Sequence, residues 1–179
     1  MSDIEKKASE PLFSKKRKQL VSNPMDTDNP ITIQVLGICS ALAVTVALKG
    51  TVIMAIAVFF VLVMANVIIS ALRNTIPNRI RIIVQLVVVA SLVAVVDQVL
   101  RAFLYEQSKM LSVFVGLIIT NCIVMGRLEA FALGNKPWDS FLDGVGNAVG
   151  YGWIIIAIAF VRELFGAGKL FGISVLPDS

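Results

Sequence analysis

From Ile31 onward the chain alternates between uncharged or nearly uncharged apolar runs and short polar breaks. Five runs stand out, at about 31–47, 51–72, 82–104, 111–125 and 144–161. Runs of this kind predict membrane-crossing helices, because about 20 apolar residues span a hydrocarbon core about 30 Å thick. Two of them are short. At 1.5 Å per residue, 31–47 reaches roughly 25 Å and 111–125 roughly 22 Å, both under the membrane thickness. Each short run carries glycine and one cysteine, Cys39 in the first and Cys122 in the second. Residues 1–28 are polar and mixed in charge, with Pro11, Asn23 and Pro24 breaking any periodicity. They predict a mobile cytoplasmic tail ahead of a transmembrane domain over 29–179.

The placement of the short runs adds a second level of order. Each opens a set of segments, and an odd number of crossings separates them. Corresponding short, interrupted segments in two halves of a membrane chain are the pattern of inverted repeats, whose functional site lies where the broken helices meet near the midplane. The fold expected is therefore all-α: a polytopic transmembrane helical protein with an inverted 3+3 repeat and two broken half-helices. A full 3+3 repeat needs a sixth span, yet after Phe165 only 170–176 is apolar before Ser179. The last span is expected to be missing.

Composition agrees with the pattern. Hydrophobic residues make up 57% and charged residues 16%, against about 25% charged in soluble domains, so no separate soluble domain fits. The net charge of +4 is concentrated in the tail, at Lys6, Lys7, Lys15, Lys16, Arg17 and Lys18. With the loops at 73–81 and 126–143, the tail side holds eleven Lys and Arg residues and the opposite side five. That bias places the N-terminus in the cytoplasm. The tail lacks the aromatic interleaving of a nucleic-acid arm and leads into membrane segments, so anionic lipid is its expected partner. It also lacks the apolar core and small-residue cleavage site of a signal peptide.

Candidate chemistry is sparse. The chain has two cysteines and no histidine, which excludes Ser/His/Asp and Cys/His catalysis. A cysteine in an apolar helix is ordinarily a small inert hydrophobe. The paired placement of Cys39 and Cys122, beside Gly37 and Asn121, leaves two further readings, a disulfide and a pair of metal ligands. Iron–sulfur clusters are commonly held by four thiolates, so two would have to come from a partner, such as a homologous chain of opposite orientation. Asp97, in Val95-Val96-Asp97-Gln98, is the most deeply placed ionisable residue. Intramembrane charge suggests an ion path, with Asn121 as a second candidate. The competing reading for Asp97 is a local ion pair with Arg101, one helical turn on. Gln85 and Asn66 suit hydrogen bonds between helices, and Arg162-Glu163 an interfacial helix end. The glycines at 144–152 do not have dinucleotide-binding spacing and follow no strand. They form two stripes for close helix packing, Gly144/Ala148/Gly152 and Gly146/Gly150.

The run Thr120-Asn121-Cys122-Ile123-Val124-Met125-Gly126-Arg127 is long and specific. Together with Gly37-Ile38-Cys39-Ser40, Val95-Val96-Asp97-Gln98, Asp143-Gly144 and Arg162-Glu163-Leu164-Phe165, it resembles the family of D subunits of the bacterial sodium-translocating NADH:quinone reductase, part of the wider Nqr and Rnf group. The resemblance covers roughly Asn29 to Pro177. It implies a multi-pass component of a translocase in the bacterial inner membrane, paired with a homologous E subunit of opposite topology. Cys39 and Cys122 match the positions that supply two of four ligands to a shared [2Fe-2S] cluster. In that family electrons pass from the NADH-oxidising flavoprotein, the F subunit, to the flavin of the C subunit and on to ubiquinone, driving Na+ export in a complex that also holds the A and B subunits. The Ser-Gly-Ala-Thr type of covalent flavin site found in the B and C subunits is absent here. Three other readings compete: the corresponding E subunit of the Rnf ferredoxin:NAD complex, a metal-free inverted-repeat transporter using Asp97, and a structural scaffold. The Rnf branch carries proline where this chain has Gly116, which favours the quinone-reductase branch.

Overall fold

The computed structural model describes residues 15–26, 29–103, 105, 116–166, 169–170 and 173–174. The helices are α1 (Lys15–Asp26), α2 (Ile38–Val44), α3 (Leu48–Leu72), α4 (Arg81–Phe103), α5 (Cys122–Arg127) and α6 (Pro137–Gly166). α5 runs on as a π-helical turn, Leu128–Ala132. A two-residue antiparallel pairing of β1 (Lys169–Leu170) with β2 (Ile173–Ser174) follows α6. The class is all-α, and among the described residues α3, α4 and α6 are long and apolar enough to cross a membrane.

These three helices take up the long runs of the sequence, while the two short runs are broken. The first becomes a turn over 30–33 and then α2, seven residues and roughly 10 Å long. The second has a helical turn at 116–119, an interruption at 120–121, and then α5; its residues 111–115 lie outside the described part. Neither short helix spans a bilayer, as expected of half-helices.

The core lies where α3 and α6 pack side by side. Val58, Val61, Leu62, Ala65 and Ile69 of α3 meet Ala148, Tyr151 and Ile155 of α6, and α5 inserts Ile123 and Val124. α4 is the outer helix. Its buried residues, Gln85, Val89 and Val93, form one narrow stripe at intervals of four, while Ile82, Ile83, Val87, Val95 and Val99 point outward. An apolar outward face is what a helix bordering hydrocarbon requires. At its N-terminal end Gln85 Nε2 donates to Glu129 Oε2 at 3.1 Å and Arg81 pairs with Glu129 Oε1 at 2.5 Å.

The two small-residue stripes of α6 face two different helices. A Cβ on Gly144 would lie 2.8 Å from Asn66 Nδ2 and 3.3 Å from Val63 Cα, so this stripe admits α3. Asn66 uses the approach to donate to Ser140 O at 3.3 Å, an interhelical bond of the kind its sequence position suggests.

The second stripe admits α1, a helix where the prolines and Asn23 predict irregular chain. A Cβ on Gly146 would lie 2.7 Å from Leu20 O, and one on Gly150 2.6 Å from Pro24 O. Pro24 has no N–H to return to the Leu20 carbonyl four residues back, and that carbonyl lies against Gly146. Backbone contact with glycine, rather than side-chain hydrophobicity, thus seats a polar helix. Residues 1–14 and 27–28 of the tail lie outside the described part. Replacing Gly146 and Gly150 together by alanine is expected to lift α1 off α6. Amide hydrogen exchange over 15–26 should accelerate at least about tenfold, the effect of losing about 1.4 kcal/mol of local protection, with α3 unchanged. Unaltered exchange would show that the stripe does not hold α1.

Candidate metal centre

The approach to the first half-helix is built backward from backbone bonds. Asn29 O accepts from Ile33 N and Gln34 N, and its side-chain Oδ1 from Ile31 N. Leu36 N then donates to Pro30 O at 2.8 Å. Val35 and Gly37 both take positive φ, at 57° and 85°, which turns the chain into α2. Leu36, between them, packs its side chain where a Cβ on Gly126 of α5 would sit, 3.1 Å away. This contact brings the two half-helices side by side.

Cys39 is the second residue of α2 and Cys122 the first of α5. Their sulfurs lie 3.9 Å apart. Both are free thiols and both are exposed. The separation is far beyond the S–S bond of about 2.05 Å, so the disulfide reading is not realised. A metal held tetrahedrally by thiolates at about 2.3 Å places two of its sulfurs about 3.8 Å apart. The donor set thus fits two corners of one metal site. Among the described residues no cluster of three or more His, Cys, Asp or Glu supplies the others.

The polar residues beside the cysteines, Ser40 and Asn121, face inward. Ser40 and Asn121 are completely buried, and between them sits the Tyr151 hydroxyl of α6. Ser40 Oγ lies 2.6 Å from Tyr151 Oη and donates to Gly37 O at 2.8 Å. Asn121 caps α5, its Oδ1 accepting from Ile123 N at 3.2 Å, and its Nδ2 lies 3.4 Å from Ser40 Oγ and 3.5 Å from Tyr151 Oη. Three of the four residues proposed from sequence, Cys39, Cys122 and Asn121, are therefore one group. Asp97 is on α4, where Oδ2 pairs with Arg101 Nε at 2.9 Å, the i, i+4 arrangement weighed against an ion path.

Two further features lie beyond the sequence reading. Tyr151 is one of only two tyrosines, and a buried tyrosine in a glycine-rich helix needs a partner for its hydroxyl; that is the signal the sequence offers. The pair Arg162-Glu163 does more than end a span. Arg162 Nη1 donates to Leu42 O at 2.8 Å and Thr45 Oγ1 at 2.7 Å, answering one C-terminal carbonyl of α2 and the hydroxyl of its C-cap residue. Glu163 Oε2 accepts from Leu48 N at 2.5 Å, answering the first N–H of α3. Cation at a helix C-terminus and anion at the next N-terminus is the favourable sense for both helix dipoles. Thr51 adds bonds to Val44 O and Ala47 O across the same joint.

These features define a class: a multi-pass helical membrane protein with an outward-facing thiol pair. The chain belongs to the family described as Rnf-Nqr subunit, membrane protein, which it matches over residues 17–177. A relative from Photobacterium profundum is 58% identical over 164 residues, covering 92% of this chain and 78% of its own length. One from Pasteurella multocida is 59% identical over 162 residues, with 90% and 78% covered, and one from Haemophilus ducreyi 58% over 159 residues, with 89% and 77% covered. All three are named as the D subunit of Na(+)-translocating NADH-quinone reductase, a component of an oxidoreductase complex.

Proposed function

We propose that this chain is the D-type membrane component of a redox-driven sodium pump, and that Cys39 and Cys122 are two of the four ligands of a [2Fe-2S] cluster shared with a homologous partner. The observation that carries the reading is the pair of exposed thiols 3.9 Å apart. A site wholly inside the chain would turn its ligands inward; here the polar neighbours are buried and the sulfurs face out. The partner that fits is the E subunit, of opposite topology, within a bacterial inner-membrane complex that also contains the A, B, C and F subunits. The basic N-terminal side faces the cytoplasm.

When bound, such a cluster accepts and releases one electron, linking the flavin-bearing components on the way to ubiquinone. The chain's own share is to hold and place two sulfurs. α5 holds Cys122 by burying Ile123 and Val124 directly behind it. α2 holds Cys39 through Ser40 and through the Arg162 bond at its far end. The joint between α2 and α3 is compact and bonded by the side chains of Thr51, Arg162 and Glu163, and Ala41 and Val44 seat α2 in the core.

The test is co-expression with the rest of the complex, followed by iron analysis and EPR of the reduced assembly. The wild type is expected to give an iron–sulfur signal that both Cys39→Ala and Cys122→Ala abolish, each removing one of four ligands. A complex without iron, or a signal that survives either substitution, removes the reading.

A further inference from the structure

The hydrogen-bond directions behind the thiols follow from the atoms present. Gly37 O only accepts, so the 2.8 Å contact uses the Ser40 proton. The 2.6 Å contact must then use the Tyr151 proton, donated to Ser40 Oγ. Asn121 Oδ1 is committed to the Ile123 N–H, which turns the amide N–H groups toward Tyr151 and Ser40. A directed chain of bonds thus runs from Asn121 through Tyr151 and Ser40 to Gly37. Its ends are the N-cap residues of α5 and α2.

The two halves depend on this chain unequally. α5 is anchored by buried aliphatic side chains and by the bonds of Arg127 to Asp143. α2 has only seven residues, of which Ser40, Ala41 and Val44 are buried, while Ile38 and Leu42 face out. The amide contacts on the α5 side are long, at 3.4 and 3.5 Å, whereas the bond that reaches α2 is short. Tyr151 itself is 1% exposed, and its ring occupies the space that a Cβ on Gly37 would enter, 2.9 Å away.

We infer that Tyr151 is a positioning residue for Cys39: its hydroxyl fixes the first turn of α2 against α6 and so sets the distance between the two sulfurs. The inference rests on the ligand-pair reading for its purpose, but the spacing it controls is a property of this chain alone.

A trivalent arsenical measures that spacing without iron. Phenylarsine oxide condenses with two thiols, forming two As–S bonds and releasing its oxygen, with both thiol protons, as water; no oxidant is needed. With the full chain in membranes, wild type is expected to be captured at one arsenic per chain and Cys39→Ala to lose capture. Tyr151→Phe keeps the ring and removes the proton donor; capture should weaken roughly three- to tenfold, the effect of one net hydrogen bond. Ser40→Ala removes the same bond from its other end, so Tyr151→Phe should add nothing in the Ser40→Ala background. In the assembled complex, Tyr151→Phe should retain wild-type iron and show a shifted or broadened EPR signal. Unchanged capture in Tyr151→Phe, or additive losses in the double variant, overturns the positioning role. A wild-type complex with no iron–sulfur signal, alongside the expected arsenical results, would overturn the cluster and leave the positioning role standing.

Discussion

Arg127→Ala is expected to destabilise the chain by about 3–5 kcal/mol, the range for stranding one member of a buried ion pair. Arg127 of α5 grips Asp143 of α6 through a forked pair, Nε to Oδ2 at 3.0 Å and Nη2 to Oδ1. The side chains are 16% and 2% exposed, so solvent screens the pair little. Without Arg127 the carboxylate keeps, among the described residues, only the Asn147 amide, at 3.1 Å, inside a helix long and apolar enough to cross the membrane. Asp143→Asn should cost less, because an amide is neutral and the guanidinium retains its seat over the Phe131 ring, 5.6 Å from the centroid. The double variant Arg127→Met, Asp143→Leu should lose less than Arg127→Ala alone, since apolar groups of similar volume leave no charge unmet. Thermal unfolding of the detergent-solubilised chain checks the order. Arg127→Ala within about 1 kcal/mol of wild type would mean that the pair is solvated and contributes as little as a surface bridge. Cys122 opens the helix that carries Arg127, so lost stability should be accompanied by weakened dithiol capture.

How much of this is legible in the sequence depends on the range of the interaction. The long spans follow from runs of apolar residues, and the broken half-helices from two runs too short to cross, because both are local properties. The stripes of α6 are visible as glycine spacing, but not their partners: that α1 occupies one of them turns on a carbonyl left free by Pro24 and on the absence of a side chain at Gly146. Asn66 and Gln85 stand out as interhelical donors, and each has a bond to another element. Cys39 and Cys122 can be paired by pseudo-symmetry alone. Their distance and outward direction cannot, since those depend on Leu36 seating over Gly126 and on Tyr151, which comes from a third helix. Asn121 suggests an ion path because it is a polar group in an apolar run; that its oxygen caps α5 is visible only in the fold. Arg162 and Glu163 look like a span end, and only the fold brings them to the joint between α2 and α3.

Gly37→Ala should separate the two sulfurs by a backbone route, and its cost has two independent parts. At φ of 85° an L-residue pays about 1–2 kcal/mol for its Cβ. The added carbon would also meet Tyr151 Cε2 at 2.9 Å, Cδ2 at 3.4 Å and Asn121 Oδ1 at 3.5 Å. The ring cannot swing aside, because it is fully packed at 1% exposure. Overpacking of this kind costs about 1–3 kcal/mol, giving a combined loss of about 2–5 kcal/mol. The two parts are separable. Tyr151→Leu in the Gly37→Ala background frees the space and should recover part of the stability lost to overpacking, while the φ cost remains; Tyr151→Phe should recover nothing, because the clash is with ring carbon rather than with the hydroxyl. Relief of this strain requires α2 to move away from α6, carrying Cys39 from Cys122. Gly37→Ala is therefore expected to lose most dithiol capture and most iron in the assembled complex. If stability and capture both stay at wild-type values, the turn into α2 is pliable and does not set the spacing of the thiols.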